Sequence, residues 1–403
     1  VAQSLNHLGE VQALKAEYDA AEKNLRDALA VRRDLLGDES VEVADTLVQL
    51  AYVLTEKGEY EAAEPLIRES LEIRRNVHGE SHPDVADSLE DLGLNIFDQG
   101  DYEASVEWLR QAVAMRRATQ GDLHPDLAEA INNLAFVLSE AGTLEEAEAL
   151  WREALTMKRR LLGDEHPEIA VSMSNVAYAL YAQGNYDEAE PIYREVIGLQ
   201  EKVLGETHPA VADSLESLAY LMYDKGDAMT AVTLAGQSLD IKREVLGDGH
   251  PDLARSFNTI AMWTMESGDY ASAEPMLRES LEIRIGTLGA GHPAVASSMT
   301  LLANCLIGNG AYEDALSLAR EAQSIFSVAL SADHWRTAVA VGAEGAALSG
   351  QRKYAAAEPL LLKSYSVLTE DPNAMSVFVT EAGRRLVSFY SEWGKPELAA
   401  RYR

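Results

Sequence analysis

The chain has 403 residues, 47% hydrophobic and 25% charged, a composition typical of a helical protein that folds in water. Its 66 acidic residues outnumber its 34 basic residues, and the net charge of -32 disfavours both nucleic acid and an anionic membrane surface as partners. Its one cysteine, Cys305, excludes an internal disulfide and favours a reducing compartment, so we expect a cytoplasmic protein. No apolar run approaches the roughly 18 residues of a membrane helix.

Glycine residues recur along the chain at a constant interval of 42 residues. One series consists of Gly37, Gly79, Gly121, Gly163, Gly205, Gly247 and Gly289, and a second of Gly58, Gly100, Gly142, Gly184, Gly226, Gly268 and Gly310. A fixed period between about 20 and 50 residues indicates a stacked array, in which each unit buries its apolar face only against its neighbours. We therefore expect one solenoid over residues 1–403 with partial first and last repeats, regular in 41–330 and divergent in 331–403.

Within each period, the apolar spacing predicts two helices. In one unit the first helix spans about residues 83–99, where Leu89, Leu92 and other apolar residues recur every three or four positions. Gly100 suits the residue just past its end, because glycine adopts positive φ at low cost. The second helix spans about residues 102–118. Each unit is therefore predicted to be a helical hairpin.

A His-Pro pair precedes most of the predicted first helices. Metal ligands must lie about 2.0 to 2.3 Å from one ion, whereas equivalent residues of neighbouring hairpins lie about 8 to 10 Å apart. The residue before proline is extended, so we predict that these histidines mark the start of each hairpin and bind no metal. Ser40-Val41 and His334-Trp335 replace the pair in an early and a late unit. The histidines are His82, His124, His166, His208, His250 and His292.

The sequence lacks the common catalytic motifs. It contains no Gly-Lys-Ser/Thr phosphate loop, no His-Glu-x-x-His, no Gly-x-Ser-x-Gly and no paired cysteine motif. Cys305 lies beside Leu302 and Leu306 on a predicted first helix, which favours a buried small apolar residue over the alternative of a reactive thiol. We expect no catalytic residue, no enzyme activity and no cofactor.

The unit "HPEIAVSMSNVAYALYAQGNYDEAEPIYREVIGLQEKVLG" resembles the 42-residue tetratricopeptide (TPR) repeat of kinesin light chains and their bacterial relatives. This resemblance covers essentially the whole chain and implies an all-α, right-handed TPR superhelix of about ten helical hairpins. The ending "RRLVSFYSEWGKPELAARYR" resembles the last repeat of bacterial proteins that carry such an array behind a Ser/Thr kinase domain. Because Val1 is not an initiator methionine and is in register with Val43, partway into a first helix, we expect a segment of a longer protein. Small residues lie where the family requires them, at Ala51, Gly93, Ala135, Ala177, Ala219, Ala261 and Ala303.

The resemblance also implies that first helices line the inside of the superhelix and turn two rows of side chains inward. The first row, one residue after each small residue, is Tyr52, Leu94, Phe136, Tyr178, Tyr220, Met262 and Asn304. The second row, four residues after it, is Thr55, Phe97, Ser139, Tyr181, Tyr223, Met265 and Ile307. Because leucine and alanine already fill the hairpin core, we interpret the rows as an open apolar strip for a ligand. The alternative is that neighbouring repeats cover them as core.

Polar residues at other inward positions indicate the character of the ligand. Asn6, Asn132 and Asn258 match the family's Leu-Asn-Asn-Leu-Ala, whose asparagines hold a ligand backbone. Arg255 is the one base at these positions, which disfavours the acidic ligands that lysine- and arginine-lined TPR grooves bind. The acids favour a basic ligand, and a solvated face is the alternative. They are Asp45, Asp87, Glu90, Glu129, Asp213 and Glu216, with Glu56, Asp98, Glu140, Asp224 and Glu266 near the ends of first helices.

These features predict a non-enzymatic scaffold whose concave groove binds a protein or peptide segment of apolar and basic character. Two alternatives are a sensory or substrate-recruiting arm of a larger enzyme, such as a kinase or protease, and a self-associating structural spacer. The predicted groove residues are Tyr52, Phe97, Asn132, Phe136, Tyr178, Tyr181, Glu216, Tyr220, Tyr223, Asn258, Met262 and Met265.

Overall fold

The computed structural model of the protein describes residues 1–331 and 333–402, and every regular element within them is a helix. The chain forms two compact units, Val1–Leu204 (unit 1) and Gly205–Arg403 (unit 2). In each unit, helices that follow one another in the sequence contact each other in pairs. The predicted all-α array of helical hairpins is confirmed.

Unit 1, all of whose residues are described, contains five hairpins. Its complete first helices have 16 residues and its second helices have 19. The helices are α1 (Ala2–Leu14), α2 (Tyr18–Leu36), α3 (Val41–Glu56), α4 (Tyr60–His78), α5 (Pro83–Asp98), α6 (Tyr102–Gln120), α7 (Pro125–Glu140), α8 (Leu144–Leu162), α9 (Pro167–Ala182) and α10 (Tyr186–Leu204).

Unit 2 repeats this arrangement in its described residues and ends in a short helix. None of the described helices in either unit is long and apolar enough to cross a bilayer. The helices are α11 (Pro209–Asp224), α12 (Ala228–Leu246), α13 (Pro251–Glu266), α14 (Tyr270–Leu288), α15 (Pro293–Gly308), α16 (Tyr312–Ala329), α17 (Trp335–Gly350), α18 (Tyr354–Glu370), α19 (Ser376–Glu392), α20 (Pro396–Ala399) and a 3-10 turn, η1 (Ala400–Tyr402).

Histidine side chains cap most of the first helices. His82 is extended, with φ -143° and ψ 146°, and its Nδ1 accepts a hydrogen bond from the backbone N–H of Asp84 at 3.2 Å. Pro83 follows at the first helical position, where a missing N–H costs nothing. The prediction that these histidines mark hairpin starts is therefore confirmed. The same cap is formed by His124, His166, His208, His250, His292 and His334.

The turn within each hairpin requires a left-handed residue. Gly100, between α5 and α6, has φ +88°. Ala16 occupies the equivalent position in the first turn and Arg352 in the turn between α17 and α18, and their φ values are 58° and 59°. Gly394 continues the series one period later, with φ 73°. An L-residue with a side chain pays roughly 1 to 2 kcal/mol for this conformation, so the turns at Ala16 and Arg352 carry backbone strain.

Small residues allow the two helices of a hairpin to approach closely. A Cβ atom added to Gly93 would lie 2.8 Å from Cγ of Leu109, which is closer than real carbon contacts. Ala177 is fully buried at the equivalent position two units later. Cys305 is also buried, and its thiol donates to the carbonyl of Tyr270 at 3.2 Å. Burial raises the pKa of this thiol to about 11, so the predicted apolar role is confirmed.

Candidate functional site

Three of the four first-row side chains in unit 1 are exposed, and the fourth, Leu94, is half-buried. Tyr52 on α3, Phe136 on α7 and Tyr178 on α9 retain 50%, 43% and 44% of their accessible surface. The ring of Tyr178 lies edge-on to that of Trp151, with the two centroids 6.5 Å apart. These aromatic side chains therefore offer apolar surface that the hairpin core does not use.

The second row in unit 1 is half-buried. The ring of Phe97 on α5 lies 5.4 Å from that of Tyr102 on α6 and also 5.4 Å from that of Phe136. The ring of Tyr181 on α9 lies 5.7 Å from that of Tyr186 on α10. Second-row residues thus contact both the second helices and the exposed first row, which gives this row a share in packing.

Unit 2 shows the same difference between the rows. Tyr220 and Met262 remain 38% and 45% exposed. Tyr223 is half-buried, stacks on Trp263 with centroids 4.8 Å apart and planes 18° apart, and donates a hydrogen bond to Glu266. Burial and this bond raise the pKa of Tyr223 to about 12. The structure therefore separates an open first row from a second row that also contributes to the fold.

The predicted asparagines and the last methionine differ in their surroundings. Oδ1 of Asn132 accepts a hydrogen bond from Nδ2 of Asn175 at 2.9 Å, so part of its bonding capacity is already used. Oδ1 of Asn258 is buried and has no hydrogen-bond partner among the described residues. Met265 is half-buried and packs against the core cluster of unit 2. Asn258 therefore differs from Asn132 in having a side-chain oxygen that can still accept a hydrogen bond from a ligand.

Cations on the second helices neutralise several of the inward acids. Arg74 on α4 lies 3.0 Å from Oδ1 of Asp45 on α3. Arg116 on α6 lies 2.9 Å from Asp87 and 2.6 Å from Glu90 on α5. These acids are therefore held by the protein itself.

The sequence interpretation missed these cations, although they show the same period. In unit 2, Lys242 on α12 bonds to Glu216 and lies 3.7 Å from Asp213, so the predicted groove residue Glu216 is also neutralised. We name these residues the second-helix cations. Their 42-residue interval, which Gln200 alone interrupts, was the signal that could have revealed them. The series is Arg32, Arg74, Arg116, Lys158, Lys242 and Arg284.

Acids near the ends of the first helices in unit 1 lack such partners. Among the described residues, no cation approaches Glu56, Asp98 or Glu140 within the 4.0 Å of an ion pair. Glu56 accepts a hydrogen bond from Tyr18, at 3.0 Å. Burial, and then the charge of Glu56, raise the pKa of Asp98. Repulsion between carboxylates that no cation offsets favours a positively charged ligand group at this end of the first helices.

One group of potential metal ligands lies at the turn between α4 and α5. Ligand atoms of His78, His82 and Asp84 lie within 4.8 Å of one another. The two imidazoles stack with centroids 4.2 Å apart and planes 12° apart, and Nδ1 of His82 already accepts the capping hydrogen bond. Stacked rings direct their nitrogens side by side instead of toward one ion, so we assign no metal to this group.

Comparison with known sequences identifies one repeat family. The sequence profile of the tetratricopeptide repeat matches residues 1–74, 42–118, 126–202, 168–244, 211–286 and 252–327. These ranges include both exposed stretches of the first row. No curated protein matches the chain by sequence.

Three solved structures are similar to this chain, and two of them superpose on it with a TM-score above 0.5. The apo form of RapI is 17% identical, covers 89% of this chain and 95% of its own, and superposes with a TM-score of 0.65. A STAND-class signal-transduction ATPase of Pyrococcus horikoshii with a tetratricopeptide repeat sensor is 14% identical, covers 94% of this chain and 52% of its own, and has a TM-score of 0.53. A Podosopora anserina protein described by its nearly identical kinesin-light-chain TPR-like repeats is 25% identical over 50% of this chain and 95% of its own, with a TM-score of 0.47.

Proposed function

The chain belongs to the tetratricopeptide repeat family, and we propose on that basis that this protein-interaction scaffold binds an extended or helical segment of another protein in a concave groove. The scaffold acts by binding alone, without catalysis or a cofactor. Its ligand is a protein or peptide, and the net charge of -32 disfavours nucleic acid and anionic membranes.

The exposed first row is the observation that carries the proposal. Tyr52, Phe136 and Tyr178 in unit 1 expose aromatic surface at one repeat position, and Tyr220 and Met262 do so in unit 2. Repeated exposure of large apolar side chains at one position is costly in water unless a partner covers them. We propose that the apolar side chains of the ligand contact this row.

Second-row and polar residues complete the proposed groove in each unit separately. In unit 1, Phe97, Tyr181 and Asn132 flank the exposed row, and the carboxylates of Glu56, Asp98 and Glu140 bind basic groups of the ligand. In unit 2, the corresponding residues are Tyr223, Met265, Asn258 and Glu216, the last already paired with Lys242. The ligand is therefore both apolar and basic.

Compartment and array length are further parts of the proposal. The one cysteine, Cys305, is buried and unpaired, which agrees with a reducing compartment such as the cytoplasm.

The 42-residue interval does not change along the sequence, which favours one TPR array over 1–403, regular in 41–330 and divergent in 331–403.

Selection from a random peptide library tests the proposed ligand class. The whole chain is immobilised, bound peptides are sequenced, and the affinity of a selected peptide is measured by calorimetry. We expect selected peptides to combine apolar residues with lysine or arginine. Replacing Tyr178 by Ala should weaken binding of a peptide seated in unit 1 by about tenfold or more, because exposed tyrosines are frequent interface hot spots.

A matched control tests whether binding depends on the two rows or on any exposed apolar side chain. Met229 on α12 is 82% exposed and lies outside both rows, so Met229→Ala should leave binding unchanged, whereas Met262→Ala should weaken a peptide seated in unit 2. Selected peptides that are acidic, or equal effects of both methionine variants, would contradict the proposal.

A further inference from the structure

Two second-helix cations, Arg32 and Arg284, pair with no carboxylate among the described residues. Arg32 donates instead to Oδ1 of Asn6 at 3.2 Å, whereas Oδ1 of the equivalent Asn258 accepts no hydrogen bond from Arg284. Arg284 on α14 lies one period after Lys242, and its Nη1 donates to the carbonyl of Ala294 at 3.2 Å and to Oγ of Ser298 at 2.9 Å. No carboxylate among the described residues lies within ion-pair distance of its guanidinium. Burial without a nearby negative charge lowers the pKa of Arg284. The charge of this side chain is therefore left open to a ligand.

Three substitutions within the repeat explain the missing partners. The position of Asp213, one period earlier, is Arg255 here, and the position of Glu216 is Asn258. The position that places Asp126 beside Arg116 is Ala294 here. Every acid that neutralises an equivalent cation has thus been replaced by a neutral or basic residue.

The open guanidinium faces a cavity of about 460 Å³ between α13, α15, α17 and α19 of unit 2. Among the described residues that line it, none is an aspartate or a glutamate, although the chain has 66 acidic residues. Arg336 also lines it, with Cζ 5.0 Å from the ring of Trp335. A basic cavity in so acidic a protein selects an anion.

The remaining walls combine an open acceptor with apolar surface. Oδ1 of Asn258, which lines the cavity, is buried and unpartnered, so it is available to an N–H donor. Trp335 and Phe378 stack on each other with centroids 5.4 Å apart and planes 26° apart. Met262 and Leu301 contribute further apolar surface. Its volume and mixed lining suit a small ligand with one charged end.

We propose that this cavity binds a carboxylate that stands next to an amide N–H and an apolar side chain. The guanidinium of Arg284 binds the carboxylate, because a planar fork of N–H donors matches two carboxylate oxygens. Asn258 accepts the amide N–H, and Trp335 and Phe378 contact the apolar side chain. An N-acylated apolar amino acid and the carboxyl end of a peptide share this chemistry.

The inference goes beyond the proposed function, because its ligand is anionic and Arg284 lies outside both rows, although Asn258 and Met262 belong to the proposed groove of unit 2 as well. The two fail in different experiments. Tyr178→Ala should lose peptide binding but keep the binding of a carboxylate in the cavity, since Tyr178 belongs to unit 1 and the cavity lies in unit 2. If the cavity binds no carboxylate ligand, peptide binding by the first row of unit 1 should still be observed.

Calorimetry on the whole chain tests the chemistry with defined probes. N-acetylphenylalanine should bind saturably at one site, and N-acetylphenylalaninamide, which lacks the carboxylate, should bind at least about tenfold more weakly. A peptide that ends in free phenylalanine distinguishes the two sources. Tighter binding of that peptide than of N-acetylphenylalanine identifies a peptide end, and equal or weaker binding identifies a small N-acylated amino acid.

Two variants borrowed from other repeats test the residues. Asn258→Glu introduces the acid found at Glu216, so the new carboxylate should pair with Arg284 and abolish binding while the fold is kept. Arg284→Gln introduces the residue found at Gln200 and should weaken binding at least about tenfold.

A matched control adds the same charge elsewhere. Ser174 occupies the position equivalent to Asn258 in unit 1, but its cation position is Gln200, so Ser174→Glu should leave N-acetylphenylalanine binding unchanged. Circular dichroism confirms that each variant is folded. The proposal is overturned if wild type binds no N-acetylphenylalanine, if the acid and the amide bind equally, or if folded Asn258→Glu binds like wild type.

Discussion

Arg116 and Glu90 form a buried ion pair between α6 and α5, with 2.6 Å between Nη2 and Oε2 and both side chains only 9% exposed. Asn133 donates to the other carboxylate oxygen at 2.7 Å. Burial raises the pKa of Glu90 although the charge of Arg116 lowers it, so desolvation is the larger of the two effects. The pair therefore depends on both partners being present.

Removing one partner of this pair should destabilise unit 1 strongly. Arg116→Met leaves Glu90 buried without its cation, and we expect a loss of about 3 to 5 kcal/mol in the free energy of unfolding by urea. The adjacent Arg117 pairs with Glu153 at 2.5 Å on the surface, where both side chains are more than 40% exposed. Arg117→Met should cost less than about 1 kcal/mol. Similar losses in the two variants would contradict the role given to burial.

Elements that depend on local or periodic signals were predictable from the sequence. The capping histidine before Pro83 and the turn glycine at Gly100 act on residues within a few positions, and the small residue Gly93 recurs with the period. Each of these features has a cause that depends on a single residue. The causes are the extended backbone before proline, the positive φ of a turn and the close approach of two helices. For this reason the hairpins and their start residues could be predicted.

Pairings between distant residues could not be predicted in the same way. Arg116 contacts Glu90, which lies 26 positions earlier, and Tyr223 stacks on Trp263 in the following hairpin. Both contacts depend on the side-chain register between packed helices, which periodicity alone does not give. From the sequence alone, the inward acids were therefore expected to be unpaired, and the second row was expected to be exposed apolar surface.

Protonation of Asp91 on α5 should make stability depend on pH. Burial is the main cause that raises the pKa of Asp91 to about 7 from 3.8, and the charges of Glu90 and Asp87 add to it against Arg74. Between these two values the folded state keeps a proton that the unfolded chain releases, so this contribution to stability falls as pH rises. Relative to Asp91→Asn, wild type should lose several kcal/mol, up to about 4, between pH 4 and pH 7.5.

Urea unfolding of both proteins across this pH range measures the effect. Asp227 provides a control of opposite sign, because hydrogen bonds from Thr230 lower its pKa and its stabilising contribution is lost as pH falls. A pH profile that Asp91→Asn leaves unchanged would contradict the assignment.

Relief of backbone strain should stabilise the first hairpin. Ala16 has φ 58° where the equivalent turns have glycine, so Ala16→Gly should raise the free energy of unfolding by about 1 kcal/mol. The same change at Arg352 should act in the same direction in unit 2. Ala30→Gly, at an exposed position inside α2, should instead cost about 1 kcal/mol. Equal destabilisation by Ala16→Gly and Ala30→Gly in urea titrations would rule out strain at the turn.

The two inward rows should respond differently to truncation. Tyr178 is 44% exposed, so Tyr178→Ala should change the free energy of unfolding by less than about 1 kcal/mol. Tyr223 stacks on Trp263 and donates to Glu266, so Tyr223→Ala should cost about 2 kcal/mol or more. Tyr223→Phe, which keeps the ring, should cost about 1 kcal/mol.

Affinity for a library-selected peptide completes this comparison. Tyr178→Ala should lower the affinity for a peptide that binds in unit 1, because the side chain contacts the ligand more than the core. The melting temperature of this variant should stay near that of wild type. Tyr223→Phe should bind a peptide seated in unit 2 almost as wild type does, since the stacked ring remains. If Tyr178→Ala unfolds the protein and Tyr223→Ala does not, the first row is core, and a ligand site must be sought on another surface of unit 1.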